Sequence, residues 1–280
     1  MKLACAERSL DLSAAKVMGV LNTTPDSFSD GGHYASLDRA LIHAEKMLND
    51  GAAIIDVGGE STRPGAEKVE LQQELDRVIP VIEKIRANLD VCISVDTSSA
   101  QVMSAAKQAG AHLLNDVRAL QQEGALAAAH NSNLPICLMH MQGEPETMQA
   151  APSYGSVMQE VSSFLTKRLM SCQLAGIDKS RLLIDPGFGF GKTVVHNYAL
   201  LAHLNDFKKL EVPILVGLSR KSMIAAVLDN CPVNERLMGS VAGAVIAVMN
   251  GAHIVRVHDV KETVEALKVV ATTKSAEKGT

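Results

Sequence analysis

Tryptophan is missing from this 280-residue chain, and aromatic residues make up only 3% of it. Cysteine is sparse as well: Cys5, Cys92, Cys137, Cys172 and Cys231 are odd in number, widely spaced, and form no Cys-x-x-Cys pair. That pattern speaks against a disulfide framework or a thiolate zinc site and reads as reduced thiols. No apolar run approaches the ~18 residues of a membrane span, and the N-terminus lacks the apolar core of a secretory signal. A cytoplasmic protein with no membrane partner is therefore expected, and the Asn22-Thr23-Thr24 sequon is set aside. Neither charge sign dominates: the net charge is −4, and no strong basic patch stands out, which counts against nucleic acid. No His-Glu-x-x-His metal motif occurs either.

What is present is aliphatic and alternating. The chain is 47% hydrophobic and 21% charged, as one large α/β domain would be. Strands are expected at 17–21, 53–57, 91–95, 112–114, 135–139, 182–184, 213–217 and 254–257. Helices are expected near 37–49, 71–88, 99–109, 122–131, 154–175, 195–204, 236–250 and 260–272, with Thr97 or Ser98 capping the third. Eight strand–helix units give a parallel sheet covered by helices. A barrel of eight such units takes roughly 250 residues. The expectation is a single (β/α)8 TIM barrel over residues 1–280, with an N-terminal strand or hairpin at 1–13 closing one end and a frayed tail at 274–280. A doubly wound open sheet is the alternative.

One stretch organises the rest: Leu182-Leu183-Ile184-Asp185-Pro186-Gly187-Phe188-Gly189-Phe190-Gly191-Lys192. An apolar strand ends on a carboxylate, proline stops the ladder, and three alternating glycines follow. The loop is not a Walker A sequence, because Pro186 stands where the first glycine belongs, and Lys192 spoils a dinucleotide fingerprint. Other strands also finish on polar residues: Asn22, Asp56, Asp96, Asn115, His140, Lys221, and Arg256 with His258. Polar residues at strand ends often only cap the next helix, but Lys, Arg and His are not capping residues. In a barrel these ends share one face, where active sites of this fold sit. Acids beside an amide suit a heterocycle with a donor–acceptor edge, such as a purine or pterin. Arg63, Lys221, Arg256 and His258 suit an anion such as phosphate or diphosphate. Three of the five phenylalanines, Phe28, Phe188 and Phe190, lie in glycine-rich loops and read as a grip on a flat ring. His112, His130 and His203 read as surface or helix-packing residues.

Seven segments then converge. MGVLNTTPDSFSDGG (18–32), DVGGESTRPGA (56–66), SVDT (94–97), NDV (115–117), LIDPGFGFGK (183–192), GLSRKS (217–222) and RVHDV (256–260) resemble, in order, the motifs of the dihydropteroate synthase family. The resemblance implies a pterin-binding TIM barrel, a transferase of folate biosynthesis and a target of sulfonamides. It implies condensation of 6-hydroxymethyl-7,8-dihydropterin diphosphate with p-aminobenzoate, giving 7,8-dihydropteroate and diphosphate. It implies Mg2+ as cofactor, with Asn22 as its ligand, and a homodimer. It places Asp96, Asn115, Asp185 and Lys221 on the pterin, Arg256 and His258 on the diphosphate, and Thr62 and Arg63 in the second loop. Phe28, Pro64, Phe190, Lys221 and Ser222 would frame p-aminobenzoate. Asp96, Asp185, Lys221, Arg256 and His258 would carry the catalysis. Two other readings share the pterin pocket: a methyltetrahydrofolate-binding corrinoid methyltransferase and a non-catalytic pterin binder. The cationic residues argue against the first and the two complete loops against the second.

Overall fold

The computed structural model describes residues 1–23, 32–60, 69–145 and 147–278. The chain opens with an antiparallel hairpin of β1 (Lys2–Cys5) and β2 (Arg8–Asp11). Eight parallel strands follow: β3 (Lys16–Asn22), β4 (Ile54–Gly58), β5 (Cys92–Asp96), β6 (Leu113–Asp116), β7 (Ile136–Met139), β8 (Leu182–Asp185), β9 (Leu215–Val216) and β10 (Ile254–Val257). Their order is β8-β7-β6-β5-β4-β3-β10-β9. A parallel bridge between Ile184 and Ile214 joins the two ends, and the Ile184 N–H donates to the Pro213 carbonyl at 3.0 Å. The sheet is thus closed into the expected barrel. β9 is shorter than the expected 213–217, because Pro213 has no N–H to give to a ladder.

Outside the barrel lie α1 (Gly32–Asn49), α2 (Leu71–Asn88), α3 (Ala100–Ala109), α4 (Ala125–Ser132), α5 (Val157–Leu174), α6 (Val194–Ala202), α7 (Ser222–Ala226), α8 (Leu237–Met249) and α9 (Val260–Lys278). The cap of α3 is Ser99, whose hydroxyl accepts from the Val102 N–H. Thr97 and Ser98 are spent elsewhere, on Glu74 and Asp116. α9 runs past the expected end at 272 to Lys278. The short α7 had no counterpart in the sequence reading. No helix among the described residues is long and apolar enough to cross a membrane.

Side chains alternate across each strand, and the interior is layered accordingly. The lowest layer takes one residue from each strand: Met18, Ile54, Cys92, Leu113, Cys137, Leu183, Leu215 and Ile254. All are buried, and Leu3, Cys5 and Leu12 of the N-terminal segment pack beneath them as a plug. Burying one such aliphatic side chain contributes about 1.5–3 kcal/mol. Outward-facing Ile55, Val57, Ile93, Val95, Leu114, Leu182 and Ile184 meet the helices. Both faces are therefore apolar at the base, as sheets buried on both sides require. Two residues further along each strand, the interior changes character. That layer holds Val20, Asp56, Ser94, Asn115, Met139, Asp185, Gly217 and Arg256. The polar end of the barrel is where the strands run out.

Candidate active site

Arg256 stands at the centre of the polar layer. Its Nε donates to Asp56 Oδ2 at 2.6 Å and its Nη2 to Asp96 Oδ2 at 2.9 Å. Asn115 Nδ2 donates to the same Asp56 oxygen at 3.2 Å. One cation is shared by the buried carboxylate of Asp56 and the partly buried one of Asp96, so the group is left with an excess of acid. Burial pushes the Asp96 carboxyl up to about 7; Arg256 pulls it down, while Asp56 and Asp116 push it further up. Burial works against the Arg256 charge, but Asp56 and Asp96 outweigh it and raise the guanidinium above its ordinary value. Among the described residues, Asp56 Oδ1 and Ser94 Oγ are buried without a hydrogen-bond partner. They belong to paired positions on β4 and β5. Leaving such atoms unsatisfied costs roughly 1–3 kcal/mol each, so this floor suits a polar guest with several donors and acceptors.

Across the barrel, β8 delivers Asp185. One of its oxygens accepts from the Gly187 N–H at 2.7 Å. Burial raises its pKa above the ordinary carboxylate value, opposed first by Lys221. Lys221 precedes α7; burial lowers its ammonium to about 8, while Asp185 pulls the other way. Its Nζ donates to the Phe188 carbonyl at 2.5 Å and lies 4.4 Å from the centroid of the Phe190 ring, a cation–π contact. Phe190 is 8% exposed and packs with Val117, Met139 and Met148 at the top of the barrel.

The glycine loop is held by side chains along its length. Gly187, Gly189 and Gly191 all have positive φ, +73°, +80° and +61°. A side chain at Gly187 would put its Cβ 1.8 Å from the His140 carbonyl oxygen, and one at Gly191 would be 2.3 Å from that of Gln142. Lys192 is buried beneath the loop. Its Nζ reaches Gly187 O at 2.8 Å, Phe190 O at 2.9 Å and His140 Nδ1 at 3.0 Å. Burial lowers the Lys192 ammonium to about 7. Burial, with Lys192 next, lowers His140 to about 3, so its ring is neutral and accepts the bond. Gln149 donates to Gly189 O, and the Tyr154 hydroxyl donates to Gly191 O at 2.8 Å. The loop N–H groups of Gly187, Gly189 and Phe190 are taken by Asp185, Asn197 and Gly187 O. A phosphate loop turns its N–H groups toward an anion; this loop turns its carbonyls toward two lysines.

A third cluster closes the mouth. Ser219 is buried, and its Oγ stands 3.2 Å from His258 Nδ1. Between Ser219 and Lys221, Arg220 adopts φ +58°. Arg220 forms a two-pronged ion pair with Asp259, one bond at 2.9 Å, which fixes the segments after β9 and β10 to each other. Ser222, the first residue of α7, is exposed. Asn22 ends β3 opposite Gly58. A Cβ on Gly58 would lie 3.9 Å from Asn22 Oδ1 and 3.4 Å from Asp96 Cβ, so the amide oxygen stands over the β4 end beside Asp96.

The structure thus brings Asn22, Asp96, Asn115, Asp185, Phe190, Lys221, Arg256 and His258 to one end of the barrel. Phe28, Thr62, Arg63 and Pro64 lie outside the described residues, so the expectations placed on them stay as they were. Phe188 is not part of a ring grip: it is fully buried among the helices. His112 is not on the surface: it is 1% exposed, and its Nδ1 accepts from the Ile93 N–H. Asp56, which the sequence places among the acids that suit a heterocycle, instead anchors Arg256 through one oxygen. Its position two residues after an inward-facing Ile54 was the available signal. The supporting contacts of Lys192, His140 and Ser219 carried no local signal.

Comparison with known proteins agrees with this geometry. Residues 18–258 match the model of the pterin binding enzyme family. The chain is 58% identical to dihydropteroate synthase of Escherichia coli (strain K12) over 276 residues, 99% of this chain and 98% of that one. It is similar to the Yersinia pestis dihydropteroate synthase structure with a sulfonamide drug complex, at 56% identity and a TM-score of 0.94, covering 98% of this chain and 100% of that one. It is also similar to the Xanthomonas albilineans enzyme in complex with 7,8-dihydropteroate, at 42% identity and a TM-score of 0.87, covering 98% of both. A barrel with this layered floor, these motifs and this likeness along its whole length is a member of the dihydropteroate synthase family.

Proposed function

We propose that the polar layer is the pterin pocket and that the rim formed by Phe190, Lys221 and Ser222 is the p-aminobenzoate side. The enzyme condenses 6-hydroxymethyl-7,8-dihydropterin diphosphate with p-aminobenzoate, releasing diphosphate and 7,8-dihydropteroate. The observation that carries the pocket assignment is the floor itself. Asp56 and Asp96 on Arg256, with Asn115 and Asp185 beside them, offer the carboxylate and amide edges that a pterin's amino and ring N–H groups need.

The bond that breaks joins the pterin methylene carbon to a diphosphate oxygen, and its electron pair leaves with the diphosphate. The bond that forms joins that carbon to the aniline nitrogen, which then gives up a proton. A reduced pterin ring can stabilise the carbon as the leaving group departs, so we assign a dissociative route. Asp96 and Asp185 hold the ring and oppose its developing positive charge. Lys221 and His258 face the departing anion, with the one guanidinium nitrogen of Arg256 not committed to Asp56 or Asp96. A weakly basic aniline requires no strong base for attack, so positioning supplies much of the rate. Phe28, Thr62, Arg63 and Pro64 are assigned to the two loops that exclude water from the intermediate.

Asn22 fits a magnesium ligand: it offers a hard amide oxygen beside Asp96, and a bound diphosphate would supply further oxygens. No group of three or more His, Cys, Asp or Glu among the described residues could hold the metal without them. When bound, Mg2+ supplies charge neutralisation for the diphosphate. A homodimer through α8 and α9 is supported by the exposed apolar residues Met238, Ile246, Met249 and Val269. Five free cysteines, four of them buried, support a reducing, cytoplasmic setting.

The pocket assignment is tested by calorimetry with pterin diphosphate. Asp185→Asn is expected to weaken binding about tenfold or more, the loss of one charged hydrogen bond. Unchanged affinity would mean that the pterin lies elsewhere.

A further inference from the structure

Lys192 closes the GFGFGK stretch and takes no part in the chemistry assigned above. It is 3% exposed. A buried ammonium has three N–H donors to satisfy. Three acceptors stand within 3.0 Å: the carbonyls of Gly187 and Phe190 and the Nδ1 of His140. The His140 carbonyl is a fourth, at 3.4 Å. The far side of the His140 ring is fixed by an edge-to-face contact with Phe164 of α5, centroids 4.9 Å apart. Lys192 therefore ties the end of β7 and a helix to the loop after β8.

The consequence falls on Phe190. Its carbonyl is held by Lys192, and its N–H is held by the Gly187 carbonyl at 3.2 Å. With the backbone held on both sides of its Cα, Phe190 starts from a fixed point, and its ring stands 4.4 Å from Lys221 Nζ. Lys221 is itself tied to the carbonyl of Phe188, within the same loop.

We propose that Lys192 is a positioning residue for p-aminobenzoate: its buried ammonium gathers Gly187, Phe190 and His140 into one node that sets where the Phe190 ring and Lys221 stand. The inference rests on the reading of the Phe190 rim as the p-aminobenzoate side. Only a cation with several donors can serve three acceptors in this space. An apolar side chain of the same length would keep the packing and release the carbonyls. Asp96, Asn115 and Arg256 stand on other strands and do not touch the node, and Asp185 meets it through bonds that Lys192 does not make: its carboxylate accepts from the Gly187 N–H and its carbonyl from the His140 N–H.

Steady-state kinetics on Lys192→Met and Phe190→Ala beside the unaltered enzyme test this. For Lys192→Met the KM for p-aminobenzoate rises about tenfold or more, while the KM for pterin diphosphate stays within about twofold. Phe190→Ala shows the same selectivity. If Phe190→Ala is selective and Lys192→Met leaves both constants unchanged or raises them together, the inference falls and the rim assignment stands. If Phe190→Ala is itself unselective, the rim assignment falls and takes the inference with it. Should Lys192→Met fail to fold, His140→Phe decides. It keeps a ring against Phe164 and removes one acceptor, so a selective rise in the KM for p-aminobenzoate supports the node, and equal or absent effects overturn it.

Discussion

Arg256 carries one positive charge between two carboxylates, Asp56 fully buried and Asp96 partly so, and the surplus falls on Asp96. Its carboxyl is raised from 3.8 to about 7 in the fold, by burial first. Between those two values the folded protein keeps a proton that the unfolded chain has released. The contribution is therefore fully present below 3.8 and lost as pH rises toward about 7. Measured by urea midpoints across that window, the enzyme should lose stability with rising pH relative to Asp96→Asn. Parallel profiles would show that Asp96 is ionised throughout. The residues of this floor were legible in the sequence for a simple reason. Asn115, Asp185 and Arg256 each sit two positions beyond an inward apolar residue of their strand, Asp96 sits four beyond the inward Cys92, and period two fixes the face. Asp56 obeys the same rule. Lys192 and His140 do not, since their contact joins residues 52 positions apart and neither ends a pattern that points to the other.

At the scale of elements, the loop after β8 is the least forgiving piece. Gly187 combines φ +73° with a Cβ position 1.8 Å from a carbonyl oxygen. Gly187→Ala must move β7's end, where His140 also holds Lys192. A loss of about 3 kcal/mol or more in denaturant unfolding is expected. An alanine variant as stable as the parent would mean that the loop can relax. The three alternating glycines were visible in the sequence, but their use was not, because a glycine loop can aim either N–H groups or carbonyls. What decided it were side chains from four other places: Gln149, Tyr154, Asn197 and Lys221. Strand and helix order was legible from apolar runs and breakers. The end of α9 and the cap of α3 were not. The serine and threonine nearest the expected cap had stronger tertiary partners in Asp116 and Glu74, which overrode local capping preference.

At the scale of the whole molecule, the barrel divides into a sealed base and an open working end. The N-terminal segment plugs the base with Leu3, Cys5 and Leu12, which leaves the upper interior free to be polar. The eight-unit barrel was legible because every strand is apolar on both faces and every unit has a helix. Association was less so, because the helical period fixes a buried face without naming what covers the other. On α8 the exposed side is apolar at Met238, Ile246 and Met249. For the proposed homodimer, sedimentation should give twice the chain mass of 29.8 kDa, and Ile246→Asp should shift it toward the monomer. A parent chain that sediments as a monomer would remove the dimer proposal. The most direct measurement is made on the unaltered enzyme. It is mixed with 6-hydroxymethyl-7,8-dihydropterin diphosphate, p-aminobenzoate and Mg2+, and diphosphate and pteroate are followed together. A two-substrate site at this barrel mouth predicts that 7,8-dihydropteroate forms only when p-aminobenzoate is present, with one diphosphate released for each product; the absence of any p-aminobenzoate-dependent product would contradict it.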